Sequence, residues 1–199
     1  MKVGGLVRQS EFAKAGITAA TIRRLKDKNL VVQPGRGLYQ LPDAPLEEHQ
    51  SLAEVAKRVP RGVVCLVSAL AYHGLTDTIP SRVWIAIGPR DHRPIIDHPR
   101  VHFVRFGERV LHAGIVRARI GRVDVPVYGP AKTVVDMFRY RQSAGRRYKR
   151  SPGLALALEG LREALRQRKA TPAQIARYAE EGGVWKVVRP YLEAMTANG

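Results

Sequence analysis

Two short, capped helices separated by a glycine open the chain, and they constrain its fold more than any other feature. Ser10 is placed to cap a helix over residues 11–15, which Gly16 would end. Thr18 is placed to cap a second helix that runs to about Lys28. Two helices joined by a short turn containing glycine are typical of a helix-turn-helix unit, and the sequence predicts one here.

A glycine-rich hairpin is predicted directly after the second helix. Ile22 and Leu25 lie three positions apart and would share the inner face of that helix. Two short apolar runs, 30–33 and 38–41, flank the Pro-Gly-Arg-Gly segment at 34–37, as in a β-hairpin. The order of helix, turn, helix and hairpin predicts a winged helix-turn-helix.

The charge of the chain points to a polyanionic partner. The chain has 34 Lys and Arg against 17 Asp and Glu, a net charge of +17. The first 41 residues alone hold eight Lys and Arg against two acids, a net +6. Such a surface attracts nucleic acid first and acidic membranes second. Because the sequence has neither a membrane-spanning apolar run nor a signal peptide at its N-terminus, we predict double-stranded DNA as the partner, no membrane contact, and a cytoplasmic location.

The second helix and the hairpin tip are the predicted DNA contacts. A recognition helix needs small and hydroxyl-bearing residues near its N-terminus to approach base edges, and cations to meet phosphates. An arginine at the hairpin tip could reach a phosphate or the minor groove. The alternative interpretation is a solvated basic helix with no ligand. The predicted contact residues of this unit are Thr18, Ala20, Thr21, Arg23, Arg24, Lys28 and Arg36.

A stiff segment with two prolines, 42–45, separates this unit from the rest of the chain. We therefore predict two domains, a winged helix-turn-helix over 1–44 and a second domain over 45–199. In the second domain the apolar patterns predict strands at 63–67, 82–87, 101–106, 115–120 and 123–128, and helices at 46–58, 68–73 and 130–139. This succession indicates a mixed α+β domain.

Three further helices are predicted to close the chain as a helical bundle. The Ser-Pro pair at 151–152 and the Thr-Pro pair at 171–172 would start the first two, with Pro as the first helical residue. The third would span 184–197 and be kinked or split at Pro190. The apolar stripe of the first is predicted at Leu154, Leu158, Leu161 and Leu165. The predicted fold class is thus α+β, a winged helix-turn-helix followed by a mixed α+β domain that ends in a helical bundle.

A basic tract between residues 139 and 150 contains six cations, no acid and two tyrosines. It could form a second phosphate-binding surface, with Tyr140 and Tyr148 as hydrogen-bond donors or stacking platforms. A flexible, solvated loop is the equally weighted alternative. From this tract we add Arg141, Arg146 and Arg147 to the predicted DNA contacts.

The sequence offers little catalytic chemistry. No lysine follows an acid by two positions as restriction-type nucleases require, and neither a P-loop nor a G-x-S-x-G elbow occurs. The lone cysteine, Cys65, lies in an apolar run and is interpreted as a buried, inert thiol. Asp91, His92, Asp97, His98 and His102 lie close together in the chain, but their spacing matches no metal motif. We expect no enzyme activity, no metal and no cofactor.

Several blocks of the sequence, in order, resemble one known family. The blocks are Arg-Gly-Leu-Tyr at 36–39, the segment 60–76 around Ser-Ala-Leu-Ala-Tyr-His-Gly-Leu-Thr, Val-Trp-Ile-Ala-Ile at 83–87, Pro-Ala-Lys-Thr-Val-Val-Asp at 130–136 and Arg-Pro-Tyr-Leu-Glu-Ala at 189–194. Together they are similar to the AbiEi family, whose members are antitoxins of type IV toxin–antitoxin systems and related predicted regulators of viral defence. The resemblance covers the chain from about Leu6 to Ala194.

The resemblance implies a division of labour between the two predicted domains. The winged domain would bind the operator of its own operon and repress it, and the second domain would carry the antitoxin function. The implied toxin is an AbiEii-like nucleotidyltransferase, which a type IV antitoxin need not hold in a stable complex. The alternative function is a stand-alone winged-helix regulator with no toxin partner.

Two departures from the family pattern are visible in the sequence. Only five residues precede Leu6, where family members usually have a helix. We therefore expect either that the true start lies upstream or that the wing and the recognition helix are less well buttressed. The tract 145–152 is a basic insertion relative to the family.

Overall fold

The fold begins with a small three-stranded sheet that carries two helices. The computed structural model describes residues 6–43, 49–141 and 152–197. The first part contains β1 (Val7–Arg8), α1 (Gln9–Lys14), α2 (Ala19–Asp27), β2 (Val32–Gly35) and β3 (Leu38–Gln40). The strand order is β1-β3-β2 and both pairings are antiparallel. This is the predicted winged helix-turn-helix, with one strand, β1, that sequence patterns did not reveal.

The turn between the two helices forms as the sequence predicts, whereas the start of α1 does not. Gly16 ends α1 in the left-handed conformation, with φ of 75°, and the backbone N–H of Ile17 donates to Phe12 O at 2.9 Å. The prediction that Ser10 caps α1 is wrong. Arg8 is the capping residue, because its backbone N–H donates to Glu11 Oε2 at 2.7 Å and Ser10 lies within the helix.

The hairpin is shorter and shifted relative to its prediction. Its first strand begins at Val32, two residues late, and continues through Pro34 and Gly35. The turn is the pair Arg36 and Gly37, and Gly37 adopts φ of 71°, which only glycine accepts without strain. The arginine at position 36 therefore occupies the tip of the wing, as predicted.

The second sheet has five strands and is covered by helices. Its elements in chain order are α3 (Gln50–Arg58), β4 (Val63–Val64), α4 (Leu66–Tyr72), β5 (Val83–Ile87), β6 (Val101–Arg105), α5 (Glu108–Leu111), β7 (Ile115–Ile120) and β8 (Val123–Tyr128). The strand order is β6-β5-β4-β8-β7, in which β5–β6 and β4–β8 are parallel and the other pairs antiparallel. The short helix α5 was not predicted.

The strand predicted over 63–67 is only two residues long. The backbone N–H of Cys65 still donates to Trp84 O at 3.0 Å, but α4 begins at the next residue, Leu66, whose φ is 47°. Ser68 sits in the first turn of α4 and accepts the N–H of Trp84 at 2.9 Å. The hydroxyl of Ser68, a helical residue, thus continues the hydrogen bonding to β5 where β4 ends. The apolar run at 63–67 is divided between β4 and α4.

Four helices complete the fold as a bundle: α6 (Pro130–Arg139), α7 (Gly153–Arg166), α8 (Pro172–Glu181) and α9 (Trp185–Thr196). The predicted apolar stripe of α7 is partly wrong, because Leu154 is exposed at the first turn. The buried face consists of Ala157, Gly160, Leu161 and Ala164. Gly160 is required there, since a Cβ would lie 2.7 Å from Leu70 Cδ2 of α4. The last helix was predicted to be kinked or split at Pro190, and α9 runs through Pro190 as one helix, so it is not split there.

The five-stranded sheet separates two apolar clusters. One face packs against α4 and the helical bundle, and the other packs against α3. Leu6 and Leu38 of the winged unit belong to the α3-side cluster, where they are 8% and 1% exposed. The winged unit is therefore joined to the rest of the chain by shared core and not only by the linker.

An ion pair is buried on the bundle side of the sheet. Lys132 donates to Asp136 one turn along α6, and both side chains are almost completely buried. The Lys132 ammonium lies 4.5 Å from the centre of the Tyr128 ring and 5.1 Å from that of Phe106. Burial raises the pKa of Asp136 to about 6, although the lysine opposes the shift. Burial also raises the pKa of the Cys65 thiol well above its ordinary value, as expected for an inert cysteine.

Candidate nucleic-acid interface

The outer face of α2 presents cations and a small residue together. Ile22 is buried and Leu25 half-buried, so these two define the inner face as predicted. Ala20, Arg23 and Arg24 are exposed on the opposite side. The absence of a large side chain at position 20 lets the first turn of the helix come close to a base edge, with both guanidinium groups alongside.

The two threonines at the start of α2 stabilise the helix end. The Thr18 hydroxyl oxygen accepts the backbone N–H of Thr21 at 3.2 Å and lies 3.0 Å from the Thr21 hydroxyl. Thr18 is exposed and Thr21 is half-buried, so Thr21 lies at the edge of the outer face and not at its centre. Each hydroxyl keeps further hydrogen-bonding capacity beyond this local contact. The Thr18 side chain thereby caps the start of α2 and satisfies one of its otherwise unpaired backbone N–H groups.

The end of α2 is tied to the wing. Lys28 caps the helix and is exposed. Lys26, which was not among the predicted contacts, donates from Nζ to Gln33 Oε1 of β2 at 2.7 Å. This bond links α2 to the strand that leads to Arg36. No sequence pattern indicates a contact between these two positions.

The wing is supported from below by α3. The Arg58 guanidinium packs so closely on Gly35 that a Cβ at that position would lie 1.3 Å from Arg58 Nη2. Gln50 of α3 donates to Gln40 of β3 at 2.9 Å. The Arg58 contact lies next to the tip of the hairpin and the Gln50 contact at its base, and Arg36 is exposed at the tip. These contacts support the wing from α3, and the expectation that it is less well buttressed than in the family stays a prediction.

The first helix is also anchored to α3. Lys57 Nζ lies 2.7 Å from the Glu11 carboxylate. Partial burial raises the pKa of Glu11, but the hydrogen bonds from Lys57 and from the Arg8 backbone outweigh it, so this pKa lies below its ordinary value. The carboxylate is therefore ionised near neutral pH and forms an ion pair that connects α1 to α3.

The predicted contacts of the basic tract do not join this surface in the described residues. Arg141 follows α6, is half-buried, and donates from Nη1 to the carbonyl of Phe138 at 2.7 Å. It thus caps the end of α6, a helix that packs against α4, α7, α8 and α9. Arg146 and Arg147 lie outside the described residues.

The acid- and histidine-rich loop before β6 is held by protein contacts. Asp91 accepts the Gly88 N–H at 2.8 Å and pairs with Arg61 at 3.0 Å. Within residues 6–43, 49–141 and 152–197, no group of three or more His, Cys, Asp or Glu could hold a metal ion. None of the helices in these ranges is long and apolar enough to span a membrane.

Comparison with known proteins agrees with this architecture. Residues 1–42 match the family described as transcriptional regulator, AbiEi antitoxin, and residues 62–192 match the AbiEi antitoxin C-terminal domain. No curated protein matches the chain. The RV2827C protein of Mycobacterium tuberculosis, known from a crystal structure, is similar in fold, with a TM-score of 0.57 at 16% identity over 96% of this chain and 75% of that one. The chain belongs to the AbiEi family of antitoxins and transcriptional regulators.

Proposed function

We propose that the protein is a DNA-binding antitoxin that represses its own operon and antagonises a nucleotidyltransferase-like toxin. The observation that carries the DNA-binding part is the cationic outer face of α2, which the Lys26–Gln33 bond links to the strand that leads to Arg36. Family membership supports the regulatory and antitoxin parts.

In this proposal α2 enters the major groove and the wing follows the adjacent backbone. Arg24 reads a base edge, and Thr18, Ala20 and Thr21 allow the first turn to approach the groove. The cations Arg23, Lys28 and Arg36 meet phosphates, which position the protein without reading sequence. Arg141, Arg146 and Arg147 would add phosphate contacts outside the winged unit.

The antitoxin activity is assigned to the domain over 45–199. Its sheet and bundle contain most of the buried residues, so a fragment from residue 46 to 199 should fold. The loss of Leu6 and Leu38 uncovers apolar surface on the α3 side, and we expect the fragment to be less stable than the full chain. It should retain rescue of toxin-expressing cells and lose repression.

The DNA-binding test is a mobility-shift titration of the full chain on its own promoter and on a scrambled fragment of equal length. We expect tighter binding to the promoter, and an affinity that falls steeply with salt, by roughly 0.9 in log K per phosphate for each unit of log salt. Equal affinity for both fragments would contradict specific recognition and leave only generic binding to nucleic acid.

The antitoxin test uses co-expression with an AbiEii-like nucleotidyltransferase, taken from the same operon where the neighbouring gene encodes one, together with a promoter reporter. The full chain with Arg23→Ala and Arg24→Ala should lose repression and still rescue growth. Repression without any rescue would make the protein a stand-alone regulator. Rescue by the N-terminal fragment alone would show that the two roles are assigned to the wrong domains.

A further inference from the structure

A cavity lies between α3, α4 and the loops that precede β5 and β6. Its volume is about 560 Å³, within the range that small-molecule sites occupy. His49 and Ser51 border it from the α3 side, Ser81 and Arg82 from the loop before β5, and Arg100 from the loop before β6. We propose that this cavity binds a nucleoside phosphate.

The charged groups around the cavity favour a phosphorylated ligand. Arg82, Arg100, His49 and His98 all border it, and no Asp or Glu is among the described residues that line it. Two guanidinium groups at the border of one concave space suit the charge of a phosphate chain, and the two imidazoles beside them can donate hydrogen bonds to its oxygens. The hydroxyls of Ser51 and Ser81 supply further donors.

The remaining surface of the cavity is apolar and favours a ligand that carries a planar ring next to its phosphates. Leu52, Val83, Pro80 and Pro99 present aliphatic surface to the space. Ile79 borders the same cavity and is 92% exposed, so its aliphatic surface is available to a ligand. A planar base lying against Ile79 would cover it while its phosphates meet the arginines. Inorganic phosphate alone would leave this apolar surface uncovered.

One segment of the cavity wall is connected to the wing. His98 borders the cavity, and its backbone carbonyl accepts a hydrogen bond from Arg58 Nη1 at 2.6 Å. Arg58 is the residue that packs on Gly35, at the end of β2 next to the wing tip. Its Nε and Nη2 atoms are buried and find no hydrogen-bond partner among the described residues. The Glu54 carboxylate, one turn earlier on α3, attracts its charge. Arg58 therefore links the His98 segment of the cavity wall to Gly35.

Occupancy of the cavity therefore alters the position of the wing. A ligand that engages His98 and Arg100 repositions the segment that holds Arg58, and the end of β2 next to the wing tip moves with it. This regulatory consequence rests on the proposed DNA-binding function, whereas ligand binding itself does not. The protein would then couple operator binding to the concentration of a nucleotide.

The binding test is isothermal titration calorimetry of the full chain with ATP and GTP, and with adenosine, guanosine and pyrophosphate as partial ligands. We expect one nucleotide per chain, and at least tenfold weaker binding of each partial ligand. Arg82→Ala combined with Arg100→Ala should weaken nucleotide binding at least tenfold. Arg117→Ala, which removes an exposed cation from β7, should leave it unchanged. Equal losses in both proteins, or unchanged binding in the cavity variant, would overturn the site.

The coupling test measures promoter affinity with and without saturating ATP. We expect saturating ATP to change the promoter affinity of the wild type at least threefold. This change should disappear in Arg58→Met and in the double variant with Arg82→Ala and Arg100→Ala. Without nucleotide, the double variant should bind the promoter with the wild-type affinity. Loss of that basal affinity would show that the cavity rim contacts DNA, and would overturn the proposal. Binding without any effect on promoter affinity would overturn the coupling alone. A wild-type protein that fails to bind its promoter specifically would refute the proposed function and leave the calorimetric result standing.

Discussion

Two hairpins of this molecule turn on an adjacent arginine and glycine, yet only one of them lies in the winged unit. The wing turns at Arg36 and Gly37, and the β7–β8 hairpin turns at Gly121 and Arg122. Both glycines have positive φ, 71° and 56°, and both arginines are exposed. The local sequence and the local geometry of the two tips therefore do not distinguish a DNA contact from an ordinary surface turn.

The surroundings of the two hairpins make the difference. The β7–β8 ladder pairs six residues on each strand, and Val123, Val125 and Val127 are buried beneath it. The wing has two short strands whose pairing shifts register between Val32 and Gly35, and it contacts α2 and α3. The β7–β8 hairpin packs against the core, whereas the wing lies next to the cationic helix α2. The position of the wing beside α2, and not the turn itself, is the basis for proposing that Arg36 contacts DNA.

The largest expected effect is on folding stability, and it concerns the buried Lys132–Asp136 pair in the core against which the β7–β8 hairpin packs. Asp136→Ala leaves Lys132 charged and buried against the rings of Phe106 and Tyr128, which costs about 3–5 kcal/mol of folding free energy. Replacing both partners, Lys132→Met with Asp136→Leu, should recover most of this loss. The measurement is urea unfolding followed by circular dichroism.

The matched control for this prediction is an exposed pair with the same spacing. Arg189 and Glu193 of α9 are also four residues apart, with side chains 58% and 61% exposed. Glu193→Ala should change stability by about 0–1 kcal/mol. Equal unfolding midpoints for the Asp136 and Glu193 variants would contradict the importance of the buried pair.

The same pair makes a prediction about pH. Because burial raises the pKa of Asp136 to about 6, the folded state binds this proton more tightly than the unfolded chain does. The contribution of this group to stability is therefore complete below its ordinary pKa and is lost as the pH rises through about 6. The stability of the wild type relative to Asp136→Asn should fall between about pH 4 and pH 7. A difference that grows with pH would reverse the assignment.

Local signals in the sequence were sufficient for the elements that depend on local contacts. Gly16 correctly predicted the end of α1, and Thr18 correctly predicted the start of α2. The residues at 121–122 correctly predicted the turn between β7 and β8. The two-residue strand β1 is too short to show an alternating pattern. The Glu11–Lys57 pair joins positions 46 apart, and the packing of Arg58 on Gly35 depends on how α3 lies beneath the wing. The contacts that position the candidate site join residues far apart in the chain, and the periodicity of the sequence does not predict such contacts.

The next largest effect concerns the helix that distinguishes the two hairpins. Arg24→Ala should cost about 1–3 kcal/mol of promoter binding and relax the preference among bases, because a bidentate contact to a base edge is lost. Arg162→Ala, an exposed cation on α7, is the control and should bind as the wild type does. The measurement is a mobility-shift titration on the promoter and on single-base variants of it. Unchanged base preference in Arg24→Ala would place the reading surface elsewhere.

The two hairpin tips can be compared directly. Arg36→Ala should weaken binding to all DNA sequences alike and reduce the slope of log K against log salt by about one unit, because one phosphate contact is lost. Arg122→Ala removes the equivalent exposed arginine from the other turn and should leave both affinity and slope unchanged. Equal losses at the two positions would mean that net charge, and not the geometry of the wing, determines the affinity.

The smallest effect tests how firmly the winged unit is attached to the rest of the molecule. Glu11 and Lys57 are 2.7 Å apart, and the Glu11 side chain is 45% exposed, so solvent screens much of their attraction. A double-mutant cycle with Glu11→Gln and Lys57→Met should give a coupling of about 0.2–1 kcal/mol in thermal or urea unfolding. The pair within the β7–β8 hairpin, Arg119 and Asp124, is 3.4 Å apart with side chains 68% and 57% exposed, and its coupling should be smaller.

The pH dependence of this coupling identifies its origin. The pKa of Glu11 is lowered in the folded protein, so its contribution to stability is present above the ordinary pKa of a glutamate and is lost as the pH falls through the folded value. The cycle measured near pH 7 should therefore show the full coupling, and the same cycle near pH 3 should show little of it. A coupling that persists in acid would mean that Lys57 and Glu11 stabilise the junction by packing of their aliphatic parts, and that the winged unit is anchored mainly by Leu6 and Leu38 in the shared core.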